Sequence, residues 1–288
     1  MTLIDVRGLS VRSGRRTVLN IGNLEFHSKT VYGIVGPNGS GKSTFLKTLC
    51  GIIQNYEGDI RVDGLETKKF HKRNAMIIGS LIENPSFYPY STPLAFIKYQ
   101  IEMRTGRKAE SSAQVNEIIH MIGLDGKKDE MIRRLSTGEL KRLGIGSAIC
   151  GNPKIILLDE PTDNLDQIGR ERVEQIVNDI ASEEDTIVIV ASHDIQFVNA
   201  VCNEIIFLKK GEVAFSYGKE NDLMEVIVDG KSELLSNFQN KVEVEGNKIT
   251  LRGNINDFME FAVKNGIKIM EINRKNVIVE NYKKIFGN

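Results

Sequence analysis

The segment VYGIVGPNGSGKSTFLKTL, residues 31–49, constrains this chain more than any other. VYGIV is a continuous apolar run, the pattern of a strand covered on both faces of a parallel sheet. It passes directly into Gly36, Pro37, Asn38, Gly39, Ser40, Gly41, Lys42, Ser43 and Thr44, nine residues that satisfy G-x-x-x-x-G-K-[ST]. TFLKTLCGII then takes up helical spacing. Strand, glycine loop and helix in that order build an anion cradle. Gly36, Gly39 and Gly41 let backbone N–H groups turn inward, and the helix start adds its positive dipole end. In such a loop Lys42 reaches the β- and γ-phosphates of a nucleotide and Ser43 ligates Mg²⁺.

A second motif supplies the acids. IILLDEP, residues 155–161, is a buried-strand run that delivers Asp159 and Glu160 at its C-terminal end. Asp159 is placed to bind Mg²⁺ through water, and Glu160 to polarise a water that attacks the γ-phosphate. TIVIVAS (186–192) and EIIFL (204–208) repeat the buried-strand pattern, with the amphipathic helix GRERVEQIVNDIA between two of these strands. The expected class is α/β, a P-loop fold around a parallel core sheet.

Three blocks complete the layout. LIDVRGLSV and TVLNIGNLEF predict an N-terminal antiparallel β subdomain. Residues 85–150 read as helical: Ser91-Thr92-Pro93 starts one helix, Ser111-Ser112 a second that Gly123 closes, and a third begins at Gly138 and ends near Gly151-Asn152-Pro153. Beyond residue 215 the pattern becomes a small α+β extension, 216–288, expected to dock on the cassette of residues 1–215. There KVEVEGNKITLR predicts a hairpin around Gly246-Asn247, INDFMEFAVKNG a helix and IKIMEI a strand. NVIVENYKKIF suits strand or helix, with helix preferred.

Composition removes several classes. Thirty-eight Lys plus Arg balance 38 Asp plus Glu, which argues against a protein that mainly grips nucleic acid. No apolar run reaches bilayer length, and the first residues lack the core of a secretion signal. Cys50, Cys150 and Cys202 are odd in number and lack metal-ligand spacing, so they read as reduced thiols.

Three further motifs narrow the class. LSTGE, Leu135–Glu139, precedes a helix; DNLD, Asp163–Asp166, follows Glu160; ASHD puts His193 after the next strand. With these the chain resembles the ATP-binding cassette (ABC) family over roughly residues 1–215. LSTGE is similar to its signature, DNLD to its D-loop and His193 to its switch histidine. The resemblance implies an ATPase that uses ATP and Mg²⁺. It implies that Ser136, Gly138 and Glu139 meet a nucleotide held by a second cassette, that Asp166 lies near the same contact, and that His193 bonds the γ-phosphate. A homodimer closing head to tail around two nucleotides is the expected assembly. The membrane path must come from a separate permease, which would hold the chain on the cytoplasmic face of the membrane and contact the helical block around Glu83–Tyr90.

Departures from the family pattern also carry meaning. Glu83 stands where the family has Gln, a metal and water contact, and adds a negative charge there. This feature resembles the ATPases of bacitracin-resistance and lantibiotic-immunity exporters, so the expected function is peptide-antibiotic export, immunity or resistance; an exporter for another substrate is the alternative. Thr137 replaces a glycine and Glu139 a glutamine of the signature. Ser13 stands where the family stacks an aromatic on adenine, which leaves Arg12 or Arg15 to cover the base. A soluble cassette acting on nucleic acid or the ribosome fits less well. Leu135 follows Gly36 by only 99 positions, with no coiled coil between, and a single cassette is present.

Overall fold

The structure, a computed structural model, describes residues 2–69, 76–83, 86–106, 112–182, 186–218, 223–229, 235, 238, 241–252, 255–275 and 277–287. They form two compact units, Met1–Phe215 and Ser216–Asn288.

In the first unit, β1 (Thr2–Ser13) and β2 (Arg16–His27) pair antiparallel, and β1 also pairs antiparallel with β4 (Glu57–Val62). With β5 (Leu65–Glu66) they make a four-stranded sheet in the order β2-β1-β4-β5. A six-stranded sheet carries the core. There β3 (Thr30–Val35) lies parallel to β8 (Ile187–Ser192) and β9 (Glu204–Lys209), and β7 (Ile155–Asp159) parallel to β6 (Ile78–Leu81) and β8. β10 (Glu212–Gly218) completes one edge next to β9. β7 and β8 are buried at every position, as near-continuous apolar strands must be when both faces are covered.

α1 (Lys42–Leu49) lies between the two sheets. Phe45, Leu46 and Leu49 join one apolar cluster with Ile4, Leu9 and Phe26 of the antiparallel sheet and Ile34, Leu157 and Ile189 of the parallel one. The helix is shorter than its apolar run suggested: Cys50 caps it and Gly51 turns left-handed at φ 79°.

The helical block begins with α2 (Pro93–Thr105), whose N-cap Thr92 hydroxyl accepts from the Ala95 N–H at 3.2 Å. α3 (Ser112–Met121) follows, and Gly123 at φ 64° ends its run. α4 (Thr137–Ile149) starts one residue earlier than expected, because Ser136 rather than Thr137 caps it. α4 packs on β6 so closely that a Cβ on Gly79 would sit 1.8 Å from the Ala148 carbonyl oxygen. α5 (Gln167–Ala181) and α6 (Ile195–Val201) follow in this unit.

The second unit holds a four-stranded sheet in the order β12-β13-β11-β14, antiparallel at each junction. Its strands are β11 (Leu223–Asp229), β12 (Lys241–Glu245), β13 (Lys248–Arg252) and β14 (Lys268–Lys275). Gly246 at φ 59° turns the hairpin. Helices α7 (Ile255–Lys264) and α8 (Val277–Phe286) accompany it, so the ambiguous NVIVENYKKIF segment is helical. Val226, Val228, Ile249, Leu251 and Phe258 form its own core.

The contact at Gly79 is testable. Gly79→Ala forces the α4 backbone off β6 and should cost about 1–3 kcal/mol in urea unfolding. Gly126→Ala, at a position with nothing within 4 Å of the added carbon, should stay within about 0.5 kcal/mol of the original.

Candidate functional site

The site assembles where β3, β7 and β8 end. Parallel strands place their carboxyl ends side by side, so motifs far apart in sequence meet there. The loop Gly36–Gly41 leaves β3 and is pinned from outside. The Gly211 N–H donates to the Ser40 carbonyl at 2.8 Å, and the Asn20 N–H to the Gly211 carbonyl at 2.8 Å. A Cβ on Gly36 would lie 2.3 Å from the Leu208 carbonyl oxygen, and Gly41 holds φ 109°, so neither position admits a side chain. Pro37, Asn38 and Gly39 are exposed at the rim, while Ser43 and Thr44 are half-buried on the first turn of α1.

Lys42 is 5% exposed. Its Nζ donates to the Gly36 carbonyl at 2.8 Å and lies 3.1 Å from Glu160 Oε1. A buried ammonium requires such partners. Glu160 turns out of β7 in a left-handed conformation, φ 45°, yet its N–H still bonds the Ala191 carbonyl at 2.8 Å. Its other oxygen, Oε2, accepts from the His193 N–H at 3.2 Å and lies 3.0 Å from His193 Nδ1. An ionised carboxylate only accepts, so Nδ1 carries that proton and Nε2, on the far side of the ring, remains for a second partner. One carboxylate thus ties together the buried lysine and the half-exposed histidine.

Asp159 ends β7 and is 6% exposed. Burial pushes its carboxyl up, opposed by a hydrogen bond from Ser43 and reinforced by the negative charge of Glu160. Asp159 Oδ1, Ser40 Oγ and Arg104 Nη1 are buried without a partner. Buried polar atoms are nearly always bonded, and at Asp159, beside the Ser43 hydroxyl, a bound cation would satisfy the orphaned oxygen. Oxygen donors from Ser43 and Asp159 suit a hard cation such as Mg²⁺, which takes few protein ligands when phosphates supply others. No cluster of three or more His, Cys, Asp or Glu that could hold a metal occurs among the described residues.

Glu83 is bonded differently from that pair. It lies just past β6, holds φ 64°, and its Oε1 is ion-paired with Lys47 Nζ of α1. Lys47 was not singled out in the sequence. Its signal was its spacing: four residues after Ser43, on the same helix face.

The LSTGE segment forms the tip of α4. Ser136 Oγ accepts from the Glu139 N–H at 3.3 Å, and Glu139 Oε2 accepts from the Ser136 N–H at 2.7 Å, a reciprocal capping box. Lys127 Nζ holds the other oxygen of Glu139 at 2.9 Å. Burial would raise the Glu139 carboxyl, but the bonds from Ser136 and Lys127 hold it below the usual range. Glu139 is therefore the clasp of the tip, and the exposed Ser136 hydroxyl keeps its own proton to donate. Gly138 rests near Leu165, and Thr137 is exposed. Asp166 Oδ1 caps α5 by accepting from the Gly169 N–H at 2.8 Å. Among the described residues no hydrogen bond or ion pair joins the tip to the loop or to Glu160.

Lys141, on α4, also escaped the sequence reading. It is 9% exposed. Burial lowers its ammonium, opposed by Asp163, Asp159 and Glu160.

Residues 19–163 match the family model described as ABC transporter. The chain belongs to the ABC transporter ATP-binding family. It is 30% identical to the lantibiotic transport ATP-binding protein SrtF of Streptococcus pyogenes over 84% of this chain and 99% of that one. It is 29% identical to the tungstate uptake system ATP-binding protein TupC of Peptoclostridium acidaminophilum, over 75% of this chain and 98% of that one. An ATP-binding cassette solved as a dimer in a post-hydrolysis state, bound to ADP and Pi, matches with TM-score 0.68 and 27% identity, covering 75% of this chain and 98% of that one. The protein is an ATPase of the ABC type, the ATP-binding subunit of a transporter. No helix among the described residues is long and apolar enough to cross a membrane.

The buried acid has a measurable cost. A carboxyl raised in the folded state disfavours folding above its ordinary titration range and stops doing so once protonated. Asp159→Asn keeps an acceptor for Ser43 and should raise stability at pH 7 by about 1 kcal/mol in urea unfolding. The gain should shrink as pH falls through the range in which Asp159 takes up its proton.

Proposed function

We propose that this chain hydrolyses ATP to drive a separate membrane permease that exports peptide antibiotics of the lantibiotic or bacitracin type. The carrying observation is the convergence of Lys42, Glu160 and His193 at three strand ends, beside the orphaned Asp159 oxygen.

In this reading the loop Gly36–Gly41, with Ser43 and Thr44, wraps the phosphates through backbone N–H groups. Lys42 leaves the Gly36 carbonyl for the β- and γ-phosphate oxygens, a stronger charge-assisted bond. Glu160, relieved of that lysine, accepts a proton from the water that attacks phosphorus in line with the departing ADP oxygen. His193, with Nδ1 still anchored on Glu160, turns Nε2 toward the γ-phosphate and fixes its place. Ser43 and Asp159 would hold Mg²⁺, with Glu83 as a further contact; bound there, the ion neutralises charge developing between the β- and γ-phosphates.

A second copy completes the site. Ser136 and Gly138 present a hydroxyl, N–H groups and a helix dipole, the chemistry of a γ-phosphate receptor. Among the described residues that tip bonds no part of its own chain's loop, which leaves it available to a nucleotide held by a partner cassette, as the dimeric cassette it resembles suggests. Asp166 then acts at the contact by fixing the start of α5. Two copies in head-to-tail pairing make both sites equivalent.

The cargo reading rests on Glu83 and on the likeness to SrtF. The likeness to TupC favours a second reading, a transporter for another cargo. Survival of a peptide antibiotic by cells carrying the transporter, lost with Lys42→Ala, separates the two; unchanged survival removes the first.

Glu160→Gln tests the mechanism. It should bind ATP, hold a stable ATP-dependent dimer in sedimentation, and lose at least about 100-fold in kcat. Turnover at the original rate would remove Glu160 from the chemistry.

A further inference from the structure

Lys47 is placed between an acid it pairs with and a second acid that its charge reaches. Its ammonium is ion-paired with Glu83, and its charge also opposes the raised carboxyl of Asp159. The register explains the meeting. Leu81 of β6 pairs with Leu158 of β7, so the chain two residues past Leu81 runs beside the end of the strand that carries Asp159 and Glu160. α1 lies across those ends and presents Ser43 and Lys47 on one face.

Glu83 departs from the preferred backbone region at φ 64°. Non-glycine residues in that region are uncommon and cluster where a side chain is needed in one place. Its side chain is also 68% exposed, so packing does not explain the position. A glutamate here brings a negative charge to a site built for a triphosphate. A neutral residue would need no counter-ion; Glu83 has one.

We propose that Glu83 makes the site discriminate against ATP without metal, and that Lys47 is a positioning residue, the counter-ion that holds Glu83 on α1, tempers that discrimination and yields Glu83 to metal-bound nucleotide. This rests on the reading of Glu83 as a metal contact given above. Exposed ion pairs are weak and screened by salt, so the pair can exchange partners. Without metal, Glu83 repels the incoming phosphates, and Lys47 moderates the repulsion. With metal, Glu83 faces a cation and the repulsion disappears.

The test is the ratio of dissociation constants for AMP-PNP measured calorimetrically in EDTA and in excess Mg²⁺, which involves no turnover. Lys47→Gln should raise this ratio about three- to tenfold, the effect of one uncompensated charge in a partly screened site. Glu83→Gln should lower it below the original value. In the Glu83→Gln background, Lys47→Gln should change nothing further. Lys47→Arg should keep the original ratio and controls for loss of fold. A ratio unmoved by Lys47→Gln overturns the proposal. So does an equal weakening with and without Mg²⁺ that persists in the Glu83→Gln background, because Lys47 would then attract phosphate directly. Lys42→Ala keeps the two readings apart. If it abolishes binding in both conditions while Lys47→Gln does nothing, the site stands and only the counter-ion role falls. If Lys42→Ala binds normally, the site itself is wrong.

Discussion

A buried ammonium governs this structure. Lys42 lies beneath the glycine loop at the start of α1, satisfied by a carbonyl of its own loop and by a carboxylate from another strand. Removing such a charge from water is expensive, and it is tolerated only when its partners are held in place. The partners are held by the parallel sheet. β3 delivers the loop, β7 delivers Glu160, and β8 delivers His193, which anchors the far side of the same carboxylate. In the proposed mechanism a polyphosphate offers Lys42 better acceptors than either present partner, and the exchange would free Glu160 to act on water, so that binding and activation of the base would be one rearrangement.

The fold around that point supplies rigidity. α1 is gripped between two sheets through Phe45, Leu46 and Leu49, so the helix end that faces the loop has little freedom. The loop is braced by Gly211 and Asn20 through backbone bonds alone. The α4 tip is made differently. It is exposed, organised by its own capping box, and joined to the parallel sheet chiefly where α4 crosses Gly79. One part of the molecule is built to grip a nucleotide from behind, and another to present a finished surface outward. That division suits the proposed sharing of each site between two copies.

Much of this was legible in the sequence. The loop, the buried strands and the acids at the end of β7 each follow from a local rule about which residues can occupy a position. The Gly246 hairpin and the Ser136 helix start are equally local, although the one-residue shift of α4 shows how a capping box sets the boundary. What was not legible depends on tertiary neighbours. β11 passed unassigned, yet it is a central strand of the second sheet; its run LMEVIVD is short and interrupted by Glu225, although Asn221-Asp222 and Asp229-Gly230 bound it as turn signals do. Lys47 and Lys141 were not singled out, because only the packing of α1 and α4 brings their charge to the acids. Glu139 was expected at the nucleotide, and its capping partner three residues earlier was visible in the sequence; what could not be read was Lys127 closing over it.

The central claim is that each nucleotide is held by the loop of one chain and the serine tip of another. Two inactive variants, Lys42→Ala and Ser136→Ala, decide it when mixed and assayed for ATP hydrolysis. In a head-to-tail pair one site collects both defects and the other is intact, so mixing should restore turnover that neither variant has alone. If every mixture stays as inactive as its components while the chains demonstrably exchange partners, each site is built within a single chain and the account is wrong.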